Sequence, residues 1–387
     1  MEEMKIEDTK VEILFLNEED MLKAGVLDAD RCVDTVEEVI RLLSKGDYLM
    51  GGREHNDHGI QLIFPKKSEI EDFPLEDSAD RRFMSMPAYL GGQFHLAGEK
   101  WYGSNGRNGR KGLPRSILMV TLNDVETGKP LAYMSGNLLS AMRTGAMPGL
   151  TAMYLARKNS RVLTLLGAGV INRTSLMAIM AKLPTIEVLK IKGSSPTSQT
   201  ALALKEFARE NYPQLKEIIV CSTLEEAVRD ADIISEAVSV PPRQWPVLQP
   251  EWIKPGCLII SSGTMDLDLD FIEKKVSKVV DNIHMYEEYV PIYQEYDDNG
   301  NRLSTGTPGI FFVNMITDGK IQSQEVQQLG DIIRGISPGR TDESEIFLVS
   351  LGGMPILDVG WGYECYKNAL EKGIGTKLKL WDKPYLH

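Results

Sequence analysis

Two rhythms of hydrophobic and polar residues divide the chain. From Val162 onward, short apolar runs (VLTLLG, EVLKIK, EIIVC, ADIISEAV, GCLIISSG, KVVDN) alternate with stretches of helical periodicity such as TSQTALALKEFAREN and TLEEAVRDA. Short continuous apolar runs mark strands covered on both faces, and their alternation with helices predicts a parallel sheet with crossover helices. Before Val162 the pattern is mixed: a short apolar run near Leu14, an acidic helix start in NEEDMLKAG, and an amphipathic helix in CVDTVEEVIRLLSKGD ended by Gly46. Strands are expected at IQLIF, RRFMSMPAYL and SILMVTLND, separated by loops rich in glycine, asparagine and charge, which predicts an antiparallel sheet. After about Gly330, GISPGRTDESEIFLVSLGGMPILDVGWGYECYKNALEKG reads as a strand, a glycine turn and a long amphipathic helix returning to the first domain. The expected organisation is α/β: a doubly wound parallel sheet over 144–335, set within an α+β domain built from 1–143 and 336–387. No internal repeat or low-complexity segment is evident.

The first parallel strand runs into a glycine turn. In VLTLLGAGVINRTSLMAIM the glycines are Gly167 and Gly169, and Asn172 stands where a dinucleotide fingerprint has its third glycine. A strand, glycine turn and helix aim several backbone N–H groups and the positive end of the helix dipole at one spot, which suits a pyrophosphate. The third glycine chiefly permits close packing of helix on strand, so a slightly more open turn accommodates Asn172. A carboxylate ending the second strand would hold the ribose 2′-hydroxyl of NAD. That strand, EVLKIK, is followed instead by Lys192, Gly193, Ser194, Ser195, Pro196 and Thr197, one cation and several hydroxyls with no carboxylate to repel a 2′-phosphate. NADP(H) is therefore expected in preference to NAD(H); the alternative is a solvated loop.

Charge narrows the partners. A net charge of -12 argues against a nucleic acid or an anionic membrane surface and for small molecules. The start MEEMKIEDTKVE is acidic where a signal peptide needs a basic, then apolar, run, and no stretch reaches the length of a membrane span. A cytoplasmic protein is expected. Cys32, Cys221, Cys257 and Cys365 lie far apart without CxxC spacing and read as reduced thiols. His55 and His58 stand alone, so no metal site is expected.

Against this acidic background, GEKWYGSNGRNGRKGLPRS and LLSAMRTGAMPGL concentrate Lys, Arg and Gly. Arg107, Arg110 and Lys111 read as a solvated loop face. Lys100 beside an aromatic pair in a strand, and Arg143 at the end of an apolar helix, are out of place as surface cations and are expected to face a pocket. Converging ammonium and guanidinium groups favour a carboxylate.

The segments MPAY, EKWYGSN, LNDVETGKPLA, LLSAMRTGA, LLGAGV, EEAVRDADII and LGGMPILD, in this order and spacing, resemble the ornithine cyclodeaminase and mu-crystallin family over nearly the whole chain. The resemblance implies a Rossmann domain inserted in a substrate domain made from both chain ends, and a homodimer. It places a substrate carboxylate on Lys100, Arg143 and Arg53, and the nucleotide turn on Gly167, Gly169, Val170 and Ile171. Thr144, Val238 and Gly263 complete the expected cofactor contacts. Two departures stand out. The glutamate that cyclodeaminases carry before their MP pair falls on Met84, and their catalytic aspartate falls on Met265, so that Asp266 takes its role only if the loop shifts by one residue. Methionine cannot handle the protons of a cyclising deamination. Hydride transfer at a C–N bond of a small amino or imino acid is thus the leading expectation, with Lys100 also a proton donor. The alternatives are a cyclodeaminase-type lyase and a nucleotide-binding subunit without catalysis. The stretch from Gly112 to Gly149 also resembles a bacterial branch of the family named for tyramine oxidase, although an amine lacking a carboxylate would leave the basic clamp unpaired.

Overall fold

A computed structural model describes residues 9–78 and 80–386; the acidic start of the chain lies largely outside them. The chain divides into two compact units, one comprising the chain up to Asp28, Asp47–Ser140 and Met354 onward, the other Ala29–Gly46 with Ala141–Gly353.

The first unit is built on a sheet of β1 (Val11–Leu16), β2 (Tyr48–Met50), β3 (Ile60–Ile63), β4 (Arg82–Leu90), β5 (Leu96–Ser104), β6 (Ser116–Asp124) and β7 (Pro130–Ser135), with a C-terminal strand Thr376–Trp381. From the C-terminal strand the order is β1, β7, β6, β5, β4, β2, with β3 also on β4. The expected antiparallel sheet is present, since β4 through β7 pair antiparallel; only β1 and β7 run parallel. Alternation along β4 and β5 puts Met84, Met86, Ala88 and Leu90, then Leu96, Gly98, Lys100 and Tyr102, on a buried face. The amphipathic helix Pro355–Lys372 lies over β4, β5 and β6 and closes this face. Its Trp361 Nε1 donates to Val26 O at 3.2 Å, tying both ends of the chain together.

The second unit holds β8 (Val162–Leu166), β9 (Val188–Lys192), β10 (Glu217–Val220) and β11 (Ile233–Glu236), followed by Leu258–Ser261, Val276–Val280, Val326–Gln328 and Ile346–Ser350. All are parallel, in the order β10, β9, β8, β11, Leu258–Ser261, Ile346–Ser350, Val276–Val280, Val326–Gln328. The chain reverses its direction of progress between β8 and β11, and such switch points bind ligands at the carboxyl ends of the strands.

Two segments group differently from the sequence reading. Ile346–Ser350, expected within the C-terminal return, lies inside the parallel sheet between Leu258–Ser261 and Val276–Val280, where its apolar run is covered on both sides. The helix Ala29–Lys45, expected within the N-terminal part, groups with the second unit. Its stripe of Val33, Val36, Val39, Ile40 and Leu43 is buried, and it packs on the helix Val170–Lys182, where Lys182 Nζ meets Asp30 and Asp34, each at 2.6 Å.

The apolar helix Asn137–Leu155 also reaches the helix that follows the glycine turn. Helices approach this closely only where side chains are missing: a Cβ on Gly149 would lie 2.6 Å from Ala178 Cβ, and Gly145 faces Thr174. Thr174 Oγ1 donates to Ala141 O at 2.9 Å across this contact.

Candidate functional site

The glycine turn closes β8 as the sequence pattern requires. Gly167 has φ of 92°, and a Cβ there would sit 2.7 Å from Ala237 O, so both its backbone angle and the approach of the neighbouring loop demand glycine. Gly169 precedes the helix Val170–Lys182, which no side chain caps. A Cβ on Gly169 would meet no atom within 4 Å, so packing does not require the glycine, and it leaves the approach to the helix N-terminus clear. Val170 stands 60% exposed at the same mouth, and Ile171 follows it in the first turn. Uncapped N–H groups and an open approach fit a dinucleotide pyrophosphate.

Asn172 is fully buried and answers for the missing third glycine. Its Nδ2 donates to Leu166 O at 2.7 Å, to Gly167 O at 2.8 Å and to Ser235 O at 3.3 Å, while its Oδ1 accepts from Ser235 Oγ at 2.9 Å. The amide pins the start of the helix to β8 and β11 through hydrogen bonds where a glycine would do so by backbone contact.

At the end of β9, Lys192 Nζ donates to Gly193 O at 2.7 Å, and the hydroxyls of Ser195 and Thr197 lie 3.4 Å apart. Ser194 and Thr197 are exposed. Ser198 caps the next helix, accepting from Ala201 N at 3.3 Å.

Beyond β11 and Leu258–Ser261 the two loops carrying Val238 and Gly263 meet over Glu236. This carboxylate, 0% exposed, accepts from Val238 N at 2.6 Å, Ser261 Oγ at 2.8 Å and Gly263 N at 3.2 Å. Burial pushes its pKa up to about 7 against the opposing pull of these donors. Asp281, at the end of Val276–Val280, is a second such group: its carboxylate accepts from Gly352 N at 2.7 Å, Asn282 N at 2.9 Å and Tyr286 Oη at 3.2 Å, and burial raises its pKa to about 6. By contrast Asp232, at the other end of the sheet, is salt-bridged to Arg157 at 2.5 Å and Lys254 at 2.7 Å and held below the ordinary range.

In the first unit, Lys100 lies on the inner face of β5, opposite Met86 on β4 and Val120 on β6. It is buried, with its Nζ 3.0 Å from Asp358 Oδ2, 3.4 Å from Ser140 Oγ and 5.7 Å from the centre of the Tyr102 ring. Arg143 is also buried, but within the first half of the helix Asn137–Leu155 and not at its end; it follows Ser140 by three residues, with Thr144 next to it. Arg53 lies in an exposed loop.

Met84 and Met265 are core residues, each 1% exposed. Met84 packs with Met86 and Tyr102, and its sulfur accepts from Tyr102 Oη at 2.9 Å. Asp266 accepts from Trp245 Nε1 at 2.6 Å and from Ser304 Oγ, in a short ladder of Asp266–Leu267 with Val247–Leu248. It lines a cavity of about 790 Å³ whose walls include Phe311 and Asn314 but none of the glycine-turn residues. Among the described residues no group of three or more His, Cys, Asp or Glu side chains is gathered as a metal ion would need, and no helix is long and apolar enough to cross a membrane.

Sequence reasoning did not single out Glu236, Asp281 or Asp358. The usable signal was a lone carboxylate inside an apolar run: IISEAV, VVDN and MPILDVGW.

A parallel sheet with an open glycine turn, in a chain whose two ends contribute to the first unit around a buried lysine, defines a two-unit nucleotide-binding α/β protein. The chain belongs to the ornithine cyclodeaminase/mu-crystallin family, whose sequence model matches residues 28–373. It is 26% identical to the N-((2S)-2-amino-2-carboxyethyl)-L-glutamate dehydrogenase of Staphylococcus aureus over 96% of this chain and 99% of that protein. The solved archaeal alanine dehydrogenase dimer with bound NAD superposes with a TM-score of 0.73 at 27% identity, covering 96% of this chain and 100% of that one. The Δ1-pyrroline-2-carboxylate reductase of Thermococcus litoralis, solved with NADH and L-proline, gives a TM-score of 0.74 at 26% identity over 94% and 99% of the two chains. The expected family and Rossmann-type fold are both found.

Proposed function

We propose that this protein is a nicotinamide-dependent oxidoreductase acting on the C–N bond of a small amino or imino acid, with NADP(H) preferred. The observation that carries this reading is one pairing within a family member: an uncapped glycine-turn helix, and a buried ammonium group at Lys100 held by Asp358. The names of the relatives, dehydrogenases and a reductase of amino and imino acids, support the same reaction class.

When bound, the nicotinamide supplies or accepts the hydride at the substrate carbon. Gly167, Gly169, Val170 and Ile171 would hold the pyrophosphate by backbone, and Lys192 with Ser194, Ser195 and Thr197 would receive the 2′-phosphate; Thr144, Val238 and Gly263 would complete the cradle. Lys100 and Arg143 clamp the substrate carboxylate, with Arg53 a further arm. Charge-assisted bonds of this kind contribute about 1.5 to 3 kcal/mol each. Lys100 also donates the proton that the substrate nitrogen gains on reduction. We assign the protein to the cytoplasm, in keeping with four buried free cysteines, and to a homodimer, as the archaeal relative is named.

The test is NADPH and NADH absorbance with purified protein offered 2-oxo acids plus ammonia or amines, and cyclic imino acids, with L-ornithine and ammonia detection in parallel. Consumption of reduced cofactor with an imine is the expected result. Ammonia from ornithine without net cofactor change would replace this reading with the lyase and give Asp266 the proton-handling role despite its two engaged oxygens. Cofactor binding without either reaction would point to a non-catalytic nucleotide-binding subunit.

A further inference from the structure

Glu236 is a carboxylate placed where strands end and loops begin, at full burial, with no salt bridge to it among the described residues. A buried charge without a cation is costly, and its acceptor sites are occupied by donors drawn from two loops. Oε1 takes the N–H of Val238; Oε2 takes the hydroxyl of Ser261 and the N–H of Gly263. The loops also lock by shape. A Cβ on Gly263 would lie 2.6 Å from Glu236 Oε1 and 2.9 Å from both the N and the O of Val238. One loop is then joined to the glycine turn itself, since Ala237 N donates to Leu166 O at 2.9 Å and Gly167 packs under Ala237 O.

Direction follows from the strand order. The pyrophosphate belongs over the turn after β8, and the adenosine side extends toward β9, where the ribose is read. The other half of a dinucleotide must therefore extend over β11 and Leu258–Ser261, whose exits are the two loops tied to Glu236.

We propose that Glu236 is the positioning residue for the nicotinamide ring of the cofactor: it holds the Val238 and Gly263 backbones in the one arrangement that receives that ring, without touching it. This rests on the cofactor reading above. On this geometry glutamate suits the site and glutamine does not. Both carboxylate oxygens face N–H donors, and an amide would turn its own NH₂ group toward one of them.

The test compares two probes on full-length protein, NADH and ADP-ribose, the latter lacking the nicotinamide. Glu236→Gln is expected to weaken NADH about tenfold or more, read by its fluorescence, while ADP-ribose binding, read by calorimetry, changes less than about twofold. Ser261→Ala, which removes one donor and disturbs the core less, is expected to weaken NADH about threefold with ADP-ribose again unmoved. A merely structural role would lower both probes together, and that result overturns the inference, as does unchanged NADH binding in both variants. If Glu236→Gln does not fold, Ser261→Ala decides by the same criterion. Wild-type protein that binds neither NADH nor NADPH overturns the cofactor reading and the inference with it; wild-type binding with unmoved variants overturns the inference alone.

Discussion

The ammonium group of Lys100 lies 3.0 Å from the carboxylate of Asp358, and both side chains are buried, Asp358 completely. The strand that carries one and the helix that carries the other belong to segments of the first unit separated in sequence by Ala141–Gly353, so the pair also fastens the helix Pro355–Lys372 to the sheet. Removing one partner leaves an uncompensated buried charge, whereas replacing both with apolar residues need not destabilise. Asp358→Leu is expected to cost about 3 to 5 kcal/mol in urea unfolding, and Lys100→Met a similar amount. The double variant Lys100→Met with Asp358→Leu should recover most of that stability and none of the turnover. Full turnover in the double variant would remove Lys100 from the reaction.

Asn172 makes a second prediction possible, because a glycine there would restore the dinucleotide fingerprint in sequence. Asn172→Gly should nevertheless be less stable than wild type by about 2 to 4 kcal/mol, since the hydroxyl of Ser235 and the carbonyl of Gly167 lose this partner inside the protein and Leu166 O keeps only the N–H of Ala237. Equal stability in chemical unfolding would show the amide to be dispensable.

Cofactor choice is checked at Lys192. NADPH is expected to bind more tightly than NADH, and Lys192→Ala to weaken NADPH by about tenfold, equivalent to one charge-assisted hydrogen bond, with NADH unchanged within about twofold. Tighter binding of NADH by wild-type protein would reverse the assignment.

The pH dependence of stability has a definite sign at Asp281. Its pKa in the folded protein, about 6, stands above the ordinary 3.8, so the folded state holds the proton more tightly than the unfolded one. The contribution is therefore present below about pH 4 and lost as pH rises to about 6, amounting to at most about 3 kcal/mol. Asp281→Asn should flatten this part of the profile. Urea midpoints of wild type and variant, compared between about pH 4 and pH 7, must converge toward low pH if the sign is right.

Much of the second unit was legible in the sequence because its signals are local. A short apolar run followed by glycines and a helical period describes β8, its turn and its helix within a single stretch, and the same grammar located β9, β10, β11 and Leu258–Ser261. Ile346–Ser350 had the same composition, but its place between two parallel neighbours is a matter of pairing, which local pattern does not encode. The strand Pro130–Ser135 and the C-terminal strand Thr376–Trp381, the latter exposed along its length, escaped for a related reason: with weak alternation, only the partner strand makes them strands.

By itself, then, the sequence determined the two rhythms of the chain, the glycine turn at Gly167 and Gly169, and the improbability of Lys100 and Arg143 as surface cations, because periodicity, turn chemistry and burial cost act over a few residues. Only the tertiary structure decided what those residues meet. Asp358 meets Lys100 although the whole of Ala141–Gly353 lies between them in sequence, Ser235 supplies the partner that lets Asn172 replace a glycine, and Glu236 gathers two loops whose residues nothing in the local pattern connects. Burial and hydrogen bonding between distant segments are properties of the packed chain, and there each polar group finds the partner that makes its burial tolerable.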